Sequence, residues 1–382
     1  MKTLSESRIL IVDDAEANVD VLVNLLRADY RLSVALDGET ALRAIAKNPP
    51  DLLLLDIVMP GLDGYGVCQR MRANEPWREI PVMFLSSLED ATDKARGFEA
   101  GGNDYVTKPF EPLEVQARVR SLLRAKAYSD AVREAHARDL RIAREIQMGL
   151  LHADLRPFTD GTGLDVAAVI EPARFVGGDL YDVIRAGDRV VVALGDVSGK
   201  GIPAALFMAV TLTLLRTMAR LHDDPAEILS RLNDELAEQN PRGMFVTLQC
   251  AVFDLRHGRV TVAGAGHHAA VILSRGCAPR LAFPSSGRVA GITAGNEMRS
   301  ESMDLHAGDT LLFFSDGVTE AFDEAEDLLG EHRLLAHLND CPGLTAAETV
   351  RSVLTAVNAH VGAAKQSDDI SVIAARWCPS RG

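Results

Sequence analysis

The chain has 382 residues, with 40 Lys plus Arg against 54 Asp plus Glu and a formal net charge of −14. At a loose ~150 residues per domain this length implies two or three domains. A content of 47% hydrophobic and 25% charged residues excludes disorder as the main state. An acidic chain has no net field to hold a phosphate backbone, so nucleic acid is disfavoured as a partner. The five cysteines (Cys68, Cys250, Cys277, Cys341, Cys378) form no CxxC pair. That argues against a thiolate metal site or a disulfide framework and suits a reducing cytosol. No apolar stretch of signal-peptide length precedes Asp13-Asp14. The longest apolar run, Gly201–Leu215, lies between Lys200 and Arg216. It is too short to cross a bilayer and reads as a buried helix. A soluble, cytoplasmic protein without membrane association is expected.

The first 120 or so residues alternate short apolar runs with helix-period segments. Strands are expected at Ile9–Val12, Leu32–Ala35, Leu52–Leu55, Val82–Leu85 and Tyr105–Val106. Helices are expected near Asn18–Leu26, Thr40–Ala46, Gly66–Met71 and Thr92–Glu99. Such alternation predicts a doubly wound parallel sheet covered by helices, with its ligand crevice at the carboxyl ends of the strands. Leu113–Met148 contains neither Gly nor Pro and would reach roughly 54 Å as one helix. Ala125, Tyr128, Val132, Ala135, Ile142 and Ile146 recur at 3-4 spacing, interrupted by Asp139. A solvated connector and a parallel coiled coil both fit that pattern.

Beyond Arg156-Pro157 the texture becomes Gly-punctuated strands. They are expected at Asp165–Ile170, Leu180–Ile184, Val190–Leu194, Val246–Phe253, Val260–Ala263, Ala270–Leu273, Thr310–Phe314 and Ile370–Ala375. Helical patterns occupy Ala204–Leu221, Ala226–Gln239 and Ala346–His360. Grouped strands with segregated helices predict a layered α+β domain.

Two sets of residues carry chemistry. In the first, Asp13-Asp14 follow the first strand, Asp56 ends the third, Ser86-Ser87 end the fourth and Lys108-Pro109 follow the fifth. In a parallel sheet these converge. Three carboxylates together call for a hard divalent cation such as Mg²⁺, and Lys108 and Ser86 offer a charge and a hydroxyl to phosphoryl oxygens. Asp56 is then a candidate nucleophile. Singly, an acidic pair after a strand is a helix cap and Lys-Pro a turn; the joint placement is what distinguishes them. ILIVDD, LLLLDIVMPGLDGYG, FLSS and YVTKPF resemble, in order and spacing, the receiver domain of two-component response regulators over about residues 7–122. The resemblance implies that Asp56 accepts phosphoryl from a sensor histidine kinase. It implies that Asp14, Asp56 and the Val58 carbonyl bind Mg²⁺, with Asp13 acting through water. Ser86, Lys108 and Tyr105 would sense the phosphoryl group.

The second set lies in FVGGDLYD (Asp179), LGDVSGKG (Asp196), FFSDGVTEA (Asp316) and QSDDIS (Asp368, Asp369). Four carboxylates without Cys or His favour Mg²⁺ or Mn²⁺, and two divalent ions would balance their charge. The alternative is that these aspartates cap helices and turns. A P-loop is excluded: Gly195 and Gly199-Lys200 are one residue too close, and Gly201 replaces the required Ser/Thr. Pro203 fits the first turn of the helix that follows. Together with AREIQMGLL, GIPAALFMA, MFVTLQCAVFD, AGAGHHAAVIL and LLGEHRL, these segments resemble the PP2C-like metal-dependent protein phosphatases of the SpoIIE/RsbU branch over about residues 140–377. Leu180 and Cys250 stand where aromatics are common in that branch.

The resemblance implies that Asp196 bridges two metal ions. Asp179 and the Val197 carbonyl would complete one site, and Asp316 and Asp368 the other, with Asp369 outside the ligand set. His267-His268 read as structural rather than as general acids, and no cysteine has an activating partner. The fold expected is therefore a flavodoxin-like receiver over 1–122, a helical linker over 123–155, and a PP2C-like β-sandwich with flanking helices over 156–378. The function expected is that of a regulated Ser/Thr protein phosphatase acting on a phosphorylated STAS-domain anti-sigma-factor antagonist. A homodimer through the linker is expected as well. Catalytically silent adaptor function and small-molecule phosphatase activity remain the alternatives. Signal transfer is expected where Ile142, Ile146 and Leu150 present an apolar edge at the AREIQMGLL junction, and the sign of regulation is open.

Overall fold

The structure is a computed structural model that describes all residues except 1–3, 88–95, 239, 286, 342 and 380–382. The chain divides into two compact units, Met1–Arg138 and Asp139–Gly382. In the first, strands β1 (Arg8–Val12), β2 (Arg31–Ala35), β3 (Leu52–Asp56), β4 (Val82–Ser86) and β5 (Asp104–Thr107) form a parallel sheet of order β2-β1-β3-β4-β5. Helices α1 (Glu16–Leu26), α2 (Gly38–Lys47) and α3 (Gly64–Ala73) lie between the strands in sequence. Alternate residues feed opposite faces. Leu10, Val12, Leu53, Leu55 and Phe84 join one core, and Ile9, Ile11, Leu52, Leu54, Met83 and Leu85 the other. A strand buried on both sides reads as a continuous apolar run, which is why LLLLD was recognisable. Of the helix expected over Thr92–Glu99, residues 92–95 lie outside the described residues and 96–99 are helical.

Helix α4 runs from Pro112 to Leu150 and spans the division between the units. Val115, Val119 and Leu123 are buried in the first unit's core, whereas the residues at 3-4 spacing further on are exposed, Tyr128 at 74% and Ile146 at 64%.

The second unit stacks two antiparallel sheets. One contains β7 (Leu180–Ala186), β8 (Arg189–Val197), β9 (Val246–Asp254), β10 (Arg259–Ala265) and β13 (Ser300–Asp304), in the order β13-β10-β9-β8-β7. The other contains β6 (Leu164–Glu171), β11 (Ala270–Leu273), β12 (Arg280–Ala282), β14 (Thr310–Phe314) and β15 (Ile370–Trp377), in the order β12-β11-β14-β15-β6. The short helix α5 (Arg156–Thr159) precedes β6, and α6 (Ile202–Leu221) and α7 (Pro225–Glu238) separate β8 from β9. The turn α8 (Asp316–Thr319), then α9 (Gly330–Asn339) and α10 (Ala346–Val361), lie between β14 and β15.

Period-two alternation again assigns the layers. Leu311, Phe313, Ile373 and Ala375 face the core between the sheets, while Leu312, Phe314, Val372 and Ala374 pack with Leu334, Leu338, Val350 and Val353 of α9 and α10. Helix α6, opened by Pro203 in its first turn, is long and apolar enough by composition to cross a membrane. It packs instead on α7, β7 and β8. Its stripe Ala204, Met208, Leu212, Leu215 and Ala219 is buried there, as a core helix requires. The sequence pattern missed β12, β13 and α9, which are short or polar.

Candidate functional site

In the first unit the expected residues converge at the carboxyl ends of β1, β3, β4 and β5. Lys108 Nζ lies 2.7 Å from Asp13 Oδ2 and 2.9 Å from Asp56 Oδ2. Asp13 also accepts from Ala15 N at 3.0 Å and from Asn18 Nδ2 at 3.0 Å. Among the described residues, Asp13, Asp14 and Asp56 form the group whose carboxylate oxygens all lie within 4.8 Å of one another. Burial raises the Asp56 carboxyl above its ordinary value and Asp13 adds to this, while Lys108 and the Val58 N–H oppose. Burial lowers the Lys108 ammonium, but Asp13 and Asp56 outweigh it and leave it raised. Gly64 is required here, since a Cβ would stand 2.2 Å from the Asp56 carbonyl. Ser86 ends β4, buried, and its carbonyl accepts from Lys108 N at 2.7 Å. Tyr105, half-buried on β5, meets Phe98 edge-on at 6.1 Å, and the Arg118 guanidinium stands 5.7 Å from its ring.

In the second unit, Asp179 immediately precedes β7, Asp196 and Val197 end β8, Asp316 opens α8 after β14, and Asp368 and Asp369 precede β15. Asp179 is 1% exposed, and its Oδ2 has no hydrogen-bond partner. Burial, then the Asp196 charge, pushes the Asp179 carboxyl well above the carboxylate range. Burial raises Asp196 to about 7 against a hydrogen bond from Asp179, with Asp316, Asp368 and Asp369 adding repulsion. Asp316 is raised by burial and then by Asp368. A Cβ on Gly178 would stand 2.7 Å from the Val197 carbonyl, so the two loops touch through backbone. An orphaned buried carboxylate oxygen among mutually repelling acids is the donor set of a hard cation, and all-oxygen ligation fits Mg²⁺ or Mn²⁺. The set is wider than the receiver's, since among the described residues no three of its acids share a 4.8 Å neighbourhood.

The surrounding residues divide into frame and charge. Asp369 Oδ1 accepts from Ala173 N and its Oδ2 from Gly178 N, both at 2.8 Å, so it organises the loop ahead of Asp179. Lys200 Nζ donates to Asp368 Oδ2 at 2.8 Å and to the Ser367 carbonyl at 3.0 Å. His267 is buried, its ring nitrogens meeting the Phe314 carbonyl at 3.0 Å and the Thr247 hydroxyl at 2.8 Å. Burial, then His268, lowers it to about 4, so it is a neutral strut. Burial raises the Cys250 thiol to about 12, far from a nucleophile. Ile142 and Ile146 stand exposed, so of the expected apolar edge only Leu150 packs against the core. Helix α4 meets this unit through Met148, Leu150 and the buried Gln147, roughly one residue step, or 100°, around the helix from Ile146. Sequence reasoning passed over Gln147 because a lone glutamine carries no pattern.

Residues 186–378 match the family Stage II sporulation protein E (SpoIIE), and residues 9–120 match the response regulator receiver domain. The response regulator PleD of Caulobacter vibrioides is 43% identical over 137 residues, which are 36% of this chain and 30% of PleD. The DNA-binding dual master transcriptional regulator RpaA of Synechocystis is 45% identical over 118 residues, 31% of this chain and 49% of RpaA. The chain thus spans less than half the length of either relative. The SiaA-PP2C domain of Pseudomonas aeruginosa has the same fold, with a TM-score of 0.57 at 20% identity, covering 64% of this chain and 98% of that domain. With more than half its length matched and the two-sheet architecture in place, this chain belongs to the SpoIIE family of PP2C-like proteins and carries a response regulator receiver domain ahead of that domain.

Proposed function

We propose that the chain is a response regulator whose output is a metal-dependent protein serine/threonine phosphatase, with a receiver over 1–122, a helical linker over 123–155 and the phosphatase over 156–378. Asp56 accepts a phosphoryl group from a sensor histidine kinase. Its carboxylate oxygen forms the bond to phosphorus as the phosphorus–nitrogen bond breaks, and the electron pair stays on the histidine nitrogen. Asp14, Asp56 and the Val58 carbonyl would hold Mg²⁺, with Asp13 behind them. Lys108, already between Asp13 and Asp56, pairs with the added phosphoryl charge, and Ser86 and Tyr105 respond to it.

In the phosphatase, Asp196, Asp179, the Val197 carbonyl, Asp316 and Asp368 are the residues that would hold two Mn²⁺ or Mg²⁺ ions. When bound, such ions supply an activated water and positive charge for phosphoryl oxygens. The chain's own part is to bring four acids together and to hold their loops still, as Asp369 does for the loop ahead of Asp179. The observation that carries this reading is the mutual repulsion of these acids around Asp196, beside the buried, unpartnered Asp179 Oδ2. From the resemblance, the substrate class is a phosphorylated STAS-domain anti-sigma-factor antagonist, and the place of action is the cytoplasm. The exposed residues at 3-4 spacing on α4 support a homodimer through that helix. Light scattering of the full chain tests this, and a monomer at high concentration refutes it. The function is tested by phosphate release with Mn²⁺ from a phosphoserine STAS protein and from p-nitrophenyl phosphate. Preference for the protein supports the reading, and release from neither contradicts it.

A further inference from the structure

We infer that Gln147 is a positioning residue through which the last turns of α4 set the Gly177-Gly178-Asp179 loop, so that retention of metal in the phosphatase site depends on the seating of that one side chain. The inference rests on the metal-site reading above and names its regulator.

Gln147 is 6% exposed although its neighbours Glu145, Ile146 and Gly149 face solvent. Its Nε2 donates to the Gly177 carbonyl at 2.7 Å, and Gly177 N donates to its Oε1 at 3.2 Å. The side-chain amide thus pairs with one residue's whole backbone, as a neighbouring strand would. Burying a glutamine costs rotamer entropy and desolvation, and these two bonds are what offset that cost. Residue 177 has nowhere else to go, because a Cβ there would lie 2.0 Å from Asp369 Oδ2. Gly177 is therefore clamped between Gln147 on one side and Asp369 on the other, and Asp369 in turn fixes Ala173 N and Gly178 N.

Asp179, two residues on, has its buried Oδ2 free for a cation. The last residue of α4 is anchored separately, where Arg216 Nη2 donates to the Leu150 carbonyl at 2.7 Å. Turning the helix by one residue would withdraw the amide and leave the Gly177 N–H and C=O unpaired in a buried place. The loop would then keep its Asp369 bonds at Ala173 N and Gly178 N but lose the pairing of Gly177.

The test uses the full chain carrying Gln147→Leu, which removes both amide groups and leaves an apolar side chain one atom shorter, and Gln147→Glu, which keeps the acceptor for Gly177 N but loses the donor. Mn²⁺ binding is measured by calorimetry, and exchange at the Gly177 and Gly178 amides by hydrogen–deuterium exchange, both below the unfolding transition. For Gln147→Leu, Mn²⁺ affinity is expected to fall at least about tenfold and both amides to exchange faster. Phosphatase rate should return toward the original at saturating Mn²⁺. Gln147→Glu is expected to lose at least as much affinity, since its buried carboxylate faces the Gly177 carbonyl without a donor. Should Gln147→Leu not fold, Gln147→Glu carries the same readouts. Wild-type affinity with both amides still protected would overturn the inference. If Asp196→Asn also binds Mn²⁺ normally, the metal-site reading fails instead, and the clamp stands or falls on amide exchange alone.

Discussion

Arg216 and Asp182 are joined inside the SpoIIE-family domain, with Arg216 Nε donating to Asp182 Oδ2 at 2.6 Å and the Asp182 side chain wholly buried. The same guanidinium holds the Leu150 carbonyl at the end of α4. Removing one partner of such a pair leaves a charge without compensation, a loss of about 3–5 kcal/mol. Arg216→Met is therefore expected to be strongly destabilised in urea unfolding, and Arg216→Met with Asp182→Leu to recover much of the loss. A single-variant change below about 1 kcal/mol would show that water reaches the pair.

Metal affinity should depend on pH with a defined sign. Without metal the Asp196 carboxyl stands at about 7, so it must release a proton before it ligates. Mn²⁺ affinity should weaken by up to about tenfold per pH unit below that point and level off above it. The linked stability of the metal-free fold runs the opposite way. A carboxyl raised above its unfolded value favours the metal-free fold at low pH, and that contribution is lost as pH rises through about 7. Calorimetry in buffers of different ionisation heat should detect proton release on the acid side and none well above pH 7. Affinity that is flat across this range would contradict the assignment.

His267 makes the opposite contribution. Its value in the fold, about 4, lies below that of an unfolded histidine. Its stabilisation is therefore complete above about pH 6.5 and is lost as pH falls toward 4. Comparing the pH dependence of unfolding in wild type and His267→Asn isolates this effect from the carboxylates. The variant should show a shallower loss of stability on acidification, and parallel curves would remove His267 from the account.

Helix α4 provides the covalent route from Asp56 to the aspartate cluster. Inserting Gly-Gly after Ala135, in an exposed stretch, costs roughly 2 kcal/mol of helix propensity and breaks the register. The phosphatase response to an aspartyl-phosphate mimic is expected to disappear while the basal rate persists. A response of unchanged size would show that the signal bypasses the helix.

What was legible in the sequence were residues whose chemistry repeats a local pattern. Asp13, Asp56 and Lys108 sit at the ends of apolar runs, and Asp179, Asp196 and Asp316 adjoin strands with glycine beside them, so position and type agreed. Strand β13, SESMD, escaped because it pairs only with β10 and lies largely in solvent, and an edge strand with polar residues on both faces has no period-two signal. Gln147 escaped for another reason: its partner is backbone thirty residues away, and no side chain at Gly177 records the contact. Ile142 and Ile146 misled because an apolar 3-4 pattern marks a face without saying what covers it.

The most direct test of the central claim is Mn²⁺-dependent phosphate release from a phosphoserine protein by the purified chain, compared with Asp196→Asn. If Asp196 holds the ions as proposed, removing its carboxylate withdraws charge stabilisation from the transition state. The account predicts a loss of at least ~10²-fold in a variant that remains folded and keeps its receiver site. Full activity in Asp196→Asn would contradict it.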